Sequence, residues 1–300
     1  MTPRPIPFVR WTPPAPGECL AVSPLMRRVL ANNPGPFTYS GTGTYIVGAG
    51  EVAVIDPGPP LADHLEALLT AVTGERVTHI LVTHNHRDHS PLAAELAART
   101  GAIVLAAAPP ALTAGGEPGQ EEGFDAGFSP DRTLEDGEII EGRGWTLRSV
   151  FTPGHTSSHM CFALQEEKAL LCGDHVMGWS TTVISPPDGD MEAYLESLRK
   201  VADERFTTLW PTHGPPITDP APFLEAYLEH RRSREAEIIA AIAAGRSQIA
   251  DMVPLIYAAV DARLWPAASH SVLAHLIGLV RRGAVRCDSE PAMGGVYSLS

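Results

Sequence analysis

In ILVTHNHRDHS, Ile80 to Ser90, three histidines and an aspartate fall within six positions directly after an apolar run. Extended chain sends alternate residues to one face, so His84, His86 and Asp88 share a side of the loop leaving this strand, with His89 on the other. Neutral imidazoles and carboxylates are the donors that zinc and related divalent ions take, and four at this density exceed what ordinary core partners neutralise. From residue frequencies, an HxHxDH pattern arises by coincidence only on the order of once in a thousand such chains. Three more candidates stand at the ends of other apolar runs: His155 in TPGHTSSH, Asp174 in LLCGD and His213 in WPTHG. Alone, each reads as a turn or core residue; together with the cluster they make a set of seven donors. His159, four residues past His155, lies outside that set. It is a candidate to donate to a developing oxyanion or to protonate a leaving group, against the plainer reading of a supporting or surface histidine.

The elements that must position these residues are legible as short β-rich runs at 44–48, 51–58, 79–84 and 102–108, with helical apolar spacing over 61–73 and 91–100. A loop rich in Gly, Pro and acidic residues spans 109–138. A second strand series follows at 145–155, 160–174 and 208–214, with a helix over about 190–203. Two strand-rich halves with helices predict two sheets packed face to face and covered outside by helices. The segment 178–198 is dense in Pro and Gly and is expected to line the mouth of the site. Residues 1–40 hold nine prolines and predict an extended, irregular lead-in packed on a catalytic domain over 41–228. From about 222 a long helix, two further apolar-periodic helices (248–260 and 268–282) and a short hairpin outline a winged-helix-like domain over 229–300, with the boundary near 228.

The net charge of −13 argues against a polyanion partner bound by bulk electrostatics. Residues 229–300 hold eight Arg and Lys against seven Asp and Glu, net +1, which leaves −14 for 1–228. The last helix, SHSVLAHLIGLVRR, offers few polar side chains for base edges, so sequence-specific DNA binding is not expected; packing on the catalytic domain, or forming one wall of its cleft, is. Four scattered cysteines without a CxxC pair form neither a disulfide framework nor a zinc knuckle. The first twenty residues lack the uninterrupted apolar core of a signal peptide, and no later stretch reaches eighteen apolar residues, so a cytoplasmic protein away from membranes is expected. The long helix at the domain junction suits a homodimer as well as intramolecular docking.

HxHxDH, TPGHT, GD and the final THG occur in an order and spacing that resemble the metallo-β-lactamase-fold hydrolases over residues 40 to 220. The resemblance implies an α+β fold, an αββα sandwich with the small C-terminal winged-helix-like domain. It also implies a site for two divalent metal ions, zinc first, with iron and manganese suited to the same ligands. Carried over, it puts His84, His86 and His155 on one metal, Asp88, His89 and His213 on the other, and Asp174 between them. His86 stands where the diiron flavoprotein branch has Glu, which argues against oxygen reduction. GTGTYIVG, TPGHTSSHM, CGDHVMG and HRRSREAEIIAAI resemble more closely the β-lactamase-like protein 2 group. Gly43 departs from that group's usual Asn and so lacks one side-chain hydrogen bond near the site.

The chemistry implied is hydrolysis by a shared water whose pKa falls towards about 7, with Asp88 both ligating and orienting it. Single-stranded RNA is the first expected substrate, from the resemblance. A thioester or ester hydrolase of the glyoxalase II or polyketide thioesterase kind is the alternative, and the acidic catalytic domain suits it better. A non-catalytic scaffold and a secreted lactam hydrolase rank below both.

Overall fold

The computed structural model describes residues 4–110 and 123–300; part of the expected 109–138 loop, residues 111–122, lies outside the described residues. The first sheet contains β1 (Cys19–Ala21), β2 (Met26–Leu30), β3 (Gly43–Ala49), β4 (Glu51–Ile55), β5 (Arg76–Val82), β6 (Ile103–Ala106) and β7 (Arg132–Thr133), in that spatial order. Pairing is antiparallel from β1 to β4 and parallel from β4 to β7. The second sheet contains β8 (Ile139–Gly142), β9 (Trp145–Phe151), β10 (Met160–Leu164), β11 (Ala169–Gly173) and β12 (Thr208–Pro211), in the order β12-β11-β10-β9-β8. β12 is parallel to β11, and the other pairs are antiparallel.

Alternation along each strand builds three apolar layers from the two sheets. Tyr45, Val47, Ala53 and Ile55 meet Leu147, Phe162, Leu164 and Leu171 between the sheets. Ile46, Val52 and Val54 face outward under α1 (Ala62–Ala71) and α2 (Leu92–Thr100). Val150, Cys161, Ala163 and Leu170 face outward under α3 (Met191–Asp203) and the first half of α4 (Pro220–Ala243). Both faces are buried, which is why the strands read as continuous apolar runs. The layers form the expected αββα sandwich.

Two expectations are corrected. The lead-in is not irregular throughout, because the proline-free run MRRVL pairs with β3 through buried Met26, Val29 and Leu30. The loop at the mouth ends at Asp190, whose carboxylate accepts from Glu192 N and Ala193 N and starts α3.

Helix α4 runs unbroken through residue 228. Phe223, Leu224 and Tyr227 sit in the sandwich's outer layer, while Ile238, Ala241 and Ile242 join a separate core with α5 (Ile249–Ile256) and α6 (Trp265–Arg281). β13 (Val285–Cys287) and β14 (Tyr297–Leu299) close the chain as an antiparallel hairpin. Ion pairs from Arg282 to Glu192 and Glu235 tie α6 to α3 and α4. Among the described residues no helix is long and apolar enough to cross a membrane.

Candidate metal centre

β9, β11 and β12 run in one direction, and His155, Asp174 and His213 follow their C-terminal ends. β4 and β5 run parallel in the facing sheet and end next to Asp56 and the His84–His89 loop. The seven candidates gather at this one edge of the sandwich in two groups: His84, His86 and His155, and Asp88, His89, Asp174 and His213. Within each group, one ligand atom per residue lies within 4.8 Å of all the others. Every one is buried. Asp174, which the resemblance places between two metals, falls with the second group.

Three of the imidazoles are oriented from behind. His155 Nδ1 donates to Val183 O at 2.9 Å, His89 Nδ1 to Asp56 Oδ2 at 2.9 Å and His213 Nδ1 to Gly41 O at 3.2 Å. Such contacts fix the tautomer and aim the other nitrogen at the site. His84 Nε2 and His86 Nδ1 approach to 2.9 Å, so their lone pairs converge. His213 Nε2 lies 2.9 Å from Asp88 Oδ2 and 3.4 Å from Asp174 Oδ2.

The electrostatics divide the same way. Burial, reinforced by the neighbouring imidazoles, holds His84 well below its ordinary range and His86 at about 3, so both are neutral donors. Burial opposes protonation of His213 as well, but Asp174 and Asp88 outweigh it and raise the imidazole to about 10. His89 is raised by Asp88 and Asp174 in the same way. Without a metal, two buried carboxylates are thus balanced by protons on two histidines. His89 Nε2, His213 Nε2 and Asp174 Oδ1 are buried yet make no hydrogen bond of good geometry among the described residues. Neutral imidazoles beside a carboxylate–imidazole set whose inward atoms lack hydrogen-bond partners fit divalent cations that displace those protons.

Sequence reading missed Asp56, which stands in AVIDPG as an apparent turn residue. It is fully buried with φ +51°, and its carboxylate accepts from Thr83 N and Oγ1 (both 2.8 Å), Thr212 Oγ1 (2.9 Å) and His89 Nδ1. A non-glycine residue in left-handed backbone, saturated with donors, ties both sheets to His89. An acidic residue directly before Pro-Gly at a strand end was the only available signal.

His159 is placed differently from the expected acid. Asp174 N donates to its Nε2 at 3.2 Å and its Nδ1 meets Thr152 Oγ1 at 2.9 Å, so both nitrogens are engaged by the chain and the residue is fully buried. Gly173 permits this: with φ +52°, a Cβ there would lie 2.7 Å from His159 Nε2. The shortfall at Gly43 is also made good. A Cβ on Gly43 would lie 2.0 Å from Arg28 Nε; the bare glycine admits that guanidinium, which donates to Thr212 O and Gly214 O, both at 2.8 Å, around His213.

A cleft opens over the centre. His86, Asp88, His155, Asp174 and His213 form its floor, the loop Trp179–Val183 forms its rim, and Tyr257, Val260, Leu264, Ala267 and Ala268 form the opposite wall. The C-terminal helices therefore shape the cleft, as their apolar composition predicts.

A two-sheet sandwich with paired His/Asp donor groups at one edge and a helical wall above them defines a metal-binding hydrolase architecture. Residues 38–213 match the Metallo-beta-lactamase superfamily and residues 249–293 the Beta-lactamase associated winged helix domain. The chain belongs to the metallo-β-lactamase superfamily and is a hydrolase of it. It is 35% identical over 222 residues to a Caenorhabditis elegans protein named beta-lactamase-like protein 2 homolog, covering 73% of this chain and 71% of that one. It is 34% identical over 243 residues to an atrochrysone carboxyl ACP thioesterase of Aspergillus chevalieri, covering 79% and 71%. A metallo-beta-lactamase family protein from Thermus thermophilus shares the fold with a TM-score of 0.76 at 24% identity, covering 93% of this chain and all of that one.

Proposed function

We propose that the protein hydrolyses acyl thioesters or esters with an apolar acyl group. The observation that carries this reading is the wall of Tyr257, Val260, Leu264, Ala267 and Ala268 facing the His/Asp floor. A concave site that is apolar on one side and polar at its base suits an acyl group with its carbonyl directed at the floor. The thioesterase name of the Aspergillus chevalieri relative points the same way. Single-stranded RNA, the first expectation, needs cations along a backbone track. Among the described residues lining the cleft, Arg231 is the single Lys or Arg.

His84, His86 and His155 would hold one divalent cation, and Asp88, His89 and His213 a second, with Asp174 shared or beside it. When bound, the cations supply Lewis acidity that acidifies water and polarises the carbonyl oxygen, with zinc the first choice for these ligands. Asp88 accepts a hydrogen bond from the attacking water and orients it. Asp56 and His159 position His89 and Asp174. The helical wall limits water around the acyl group. Water adds to the carbonyl, the C–S or C–O bond breaks, and the leaving thiol or alcohol takes up a proton.

The test is thiol release from an N-acetylcysteamine thioester of an aromatic acid by zinc-loaded protein, beside Asp88→Ala and end-labelled single-stranded RNA. Thiol release lost in Asp88→Ala, with intact RNA, supports the reading. RNA cleavage without thiol release replaces it with the nuclease.

A further inference from the structure

Arg231 lies at mid-length in α4, is 3% exposed and lines the same cleft as Asp88 and Asp174. Among the described residues no carboxylate oxygen lies within ion-pairing distance of it, although the chain carries a net charge of −13. The nearby acids on α4 are committed elsewhere: Glu235 to Arg282 at 2.8 Å and Glu237 to Arg234 at 2.5 Å. Arg231 Nη2 donates to Thr182 O, its guanidinium packs 5.1 Å from the Tyr194 ring centroid, and Nε is buried without a hydrogen-bond partner. A buried, permanently charged guanidinium without a counter-ion is costly, and the cost is recovered when an anion arrives.

We infer that Arg231 is the seat for an anionic oxygen group of the substrate, which narrows the substrate class to acyl esters or thioesters that carry a carboxylate or phosphate away from the scissile bond. This rests on the acyl-hydrolase reading for the reaction, though not for the anion seat. Two sources share the chemistry: a carboxylate on the acyl group, and a phosphate on the carrier of the thiol. Arg231 is a specificity residue here; it does not touch the reacting carbonyl.

The experiment measures binding apart from turnover. Phthalate and benzoate are titrated calorimetrically into zinc-loaded full-length protein, wild type, Arg231→Met and Arg231→Lys, with metal content checked in each because Arg231 also supports the Thr182 loop. The wild type should bind phthalate at least about tenfold more tightly than benzoate, as expected for a charge-assisted hydrogen bond. That ratio should collapse in Arg231→Met and be partly kept in Arg231→Lys. No preference in the wild type, or the same ratio in Arg231→Met, overturns the inference.

Turnover then separates the sources. N-acetylcysteamine thioesters with neutral and carboxylated aryl groups are compared with the coenzyme A thioester of the neutral acid. An Arg231-dependent KM for the carboxylated acyl group supports the acyl source; the same dependence only with coenzyme A supports the carrier phosphate. If no thioester is turned over while the phthalate ratio still depends on Arg231, the proposed reaction falls and the anion seat stands. Thioester turnover without any such ratio gives the converse.

Discussion

The floor and the far wall of the cleft are built on opposite plans. The floor is the exposed side of a cluster of seven buried His and Asp side chains, set at or just after strand ends, of which His86, Asp88, His155, Asp174 and His213 line the cleft and several are held from behind by a carbonyl or by Asp56. The wall is a patch of aliphatic and aromatic residues from loops and helices between Tyr257 and Ala268, held by ordinary packing and by ion pairs from Arg281 and Arg282, at the end of α6, to the start of α3 and to Glu235 of α4. Metal chemistry tolerates little positional error, so its residues sit on the rigid sheets; apolar recognition tolerates repacking and sits on an appended domain. On the proposed reading the floor sets the reaction and the wall its substrate.

Breaking the floor should have the largest effects. Asp88→Ala should lower hydrolysis about a thousandfold or more for every substrate alike, read as kcat/KM across a thioester set. Asp56→Asn keeps the shape but removes the charge facing His89 Nδ1; metal affinity, measured by chelator competition, should fall about 10–100-fold. Gly173→Ala forces a Cβ against His159 and Thr83 in left-handed backbone, and thermal unfolding should report a loss of about 1–3 kcal/mol. The wall gives smaller and selective effects. Leu264→Ala should raise KM for bulky acyl groups about tenfold, with metal content unchanged.

Protons provide a further contrast. In chelator-stripped protein, His213 is raised from its ordinary value of about 6.5 to about 10 by Asp174 and Asp88. A raised histidine contributes stability that is complete below about 6.5 and is lost as pH rises through about 10. Thermal unfolding of the stripped protein should decline across that window. The zinc-loaded protein, in which metal replaces the proton, should decline less.

The same division explains what the sequence discloses. His84, His86, Asp88 and His89 are readable because metal ligation confines them to one short motif, and β11 and β12 announce Asp174 and His213 by ending at them. Asp56 is hidden because it acts through His89 and looks like a turn. His159 is visible, but only the fold shows both its nitrogens occupied by Thr152 and Asp174. Arg231 lies in HRRSRE, which reads as a charged surface; at its position the helix faces inward, and burial without a counter-ion among the described residues is a property of the packed helices alone. β2 is masked by prolines on either side of a run that contains none.

The division of labour is tested most directly by kcat/KM for N-acetylcysteamine thioesters from acetyl to large aryl groups, in the wild type and in Leu264→Asp. The account predicts that wild-type kcat/KM climbs with apolar acyl size and that the climb flattens in Leu264→Asp, while acetyl turnover changes little. A flat wild-type series, or a variant that loses all substrates by one factor, would contradict it.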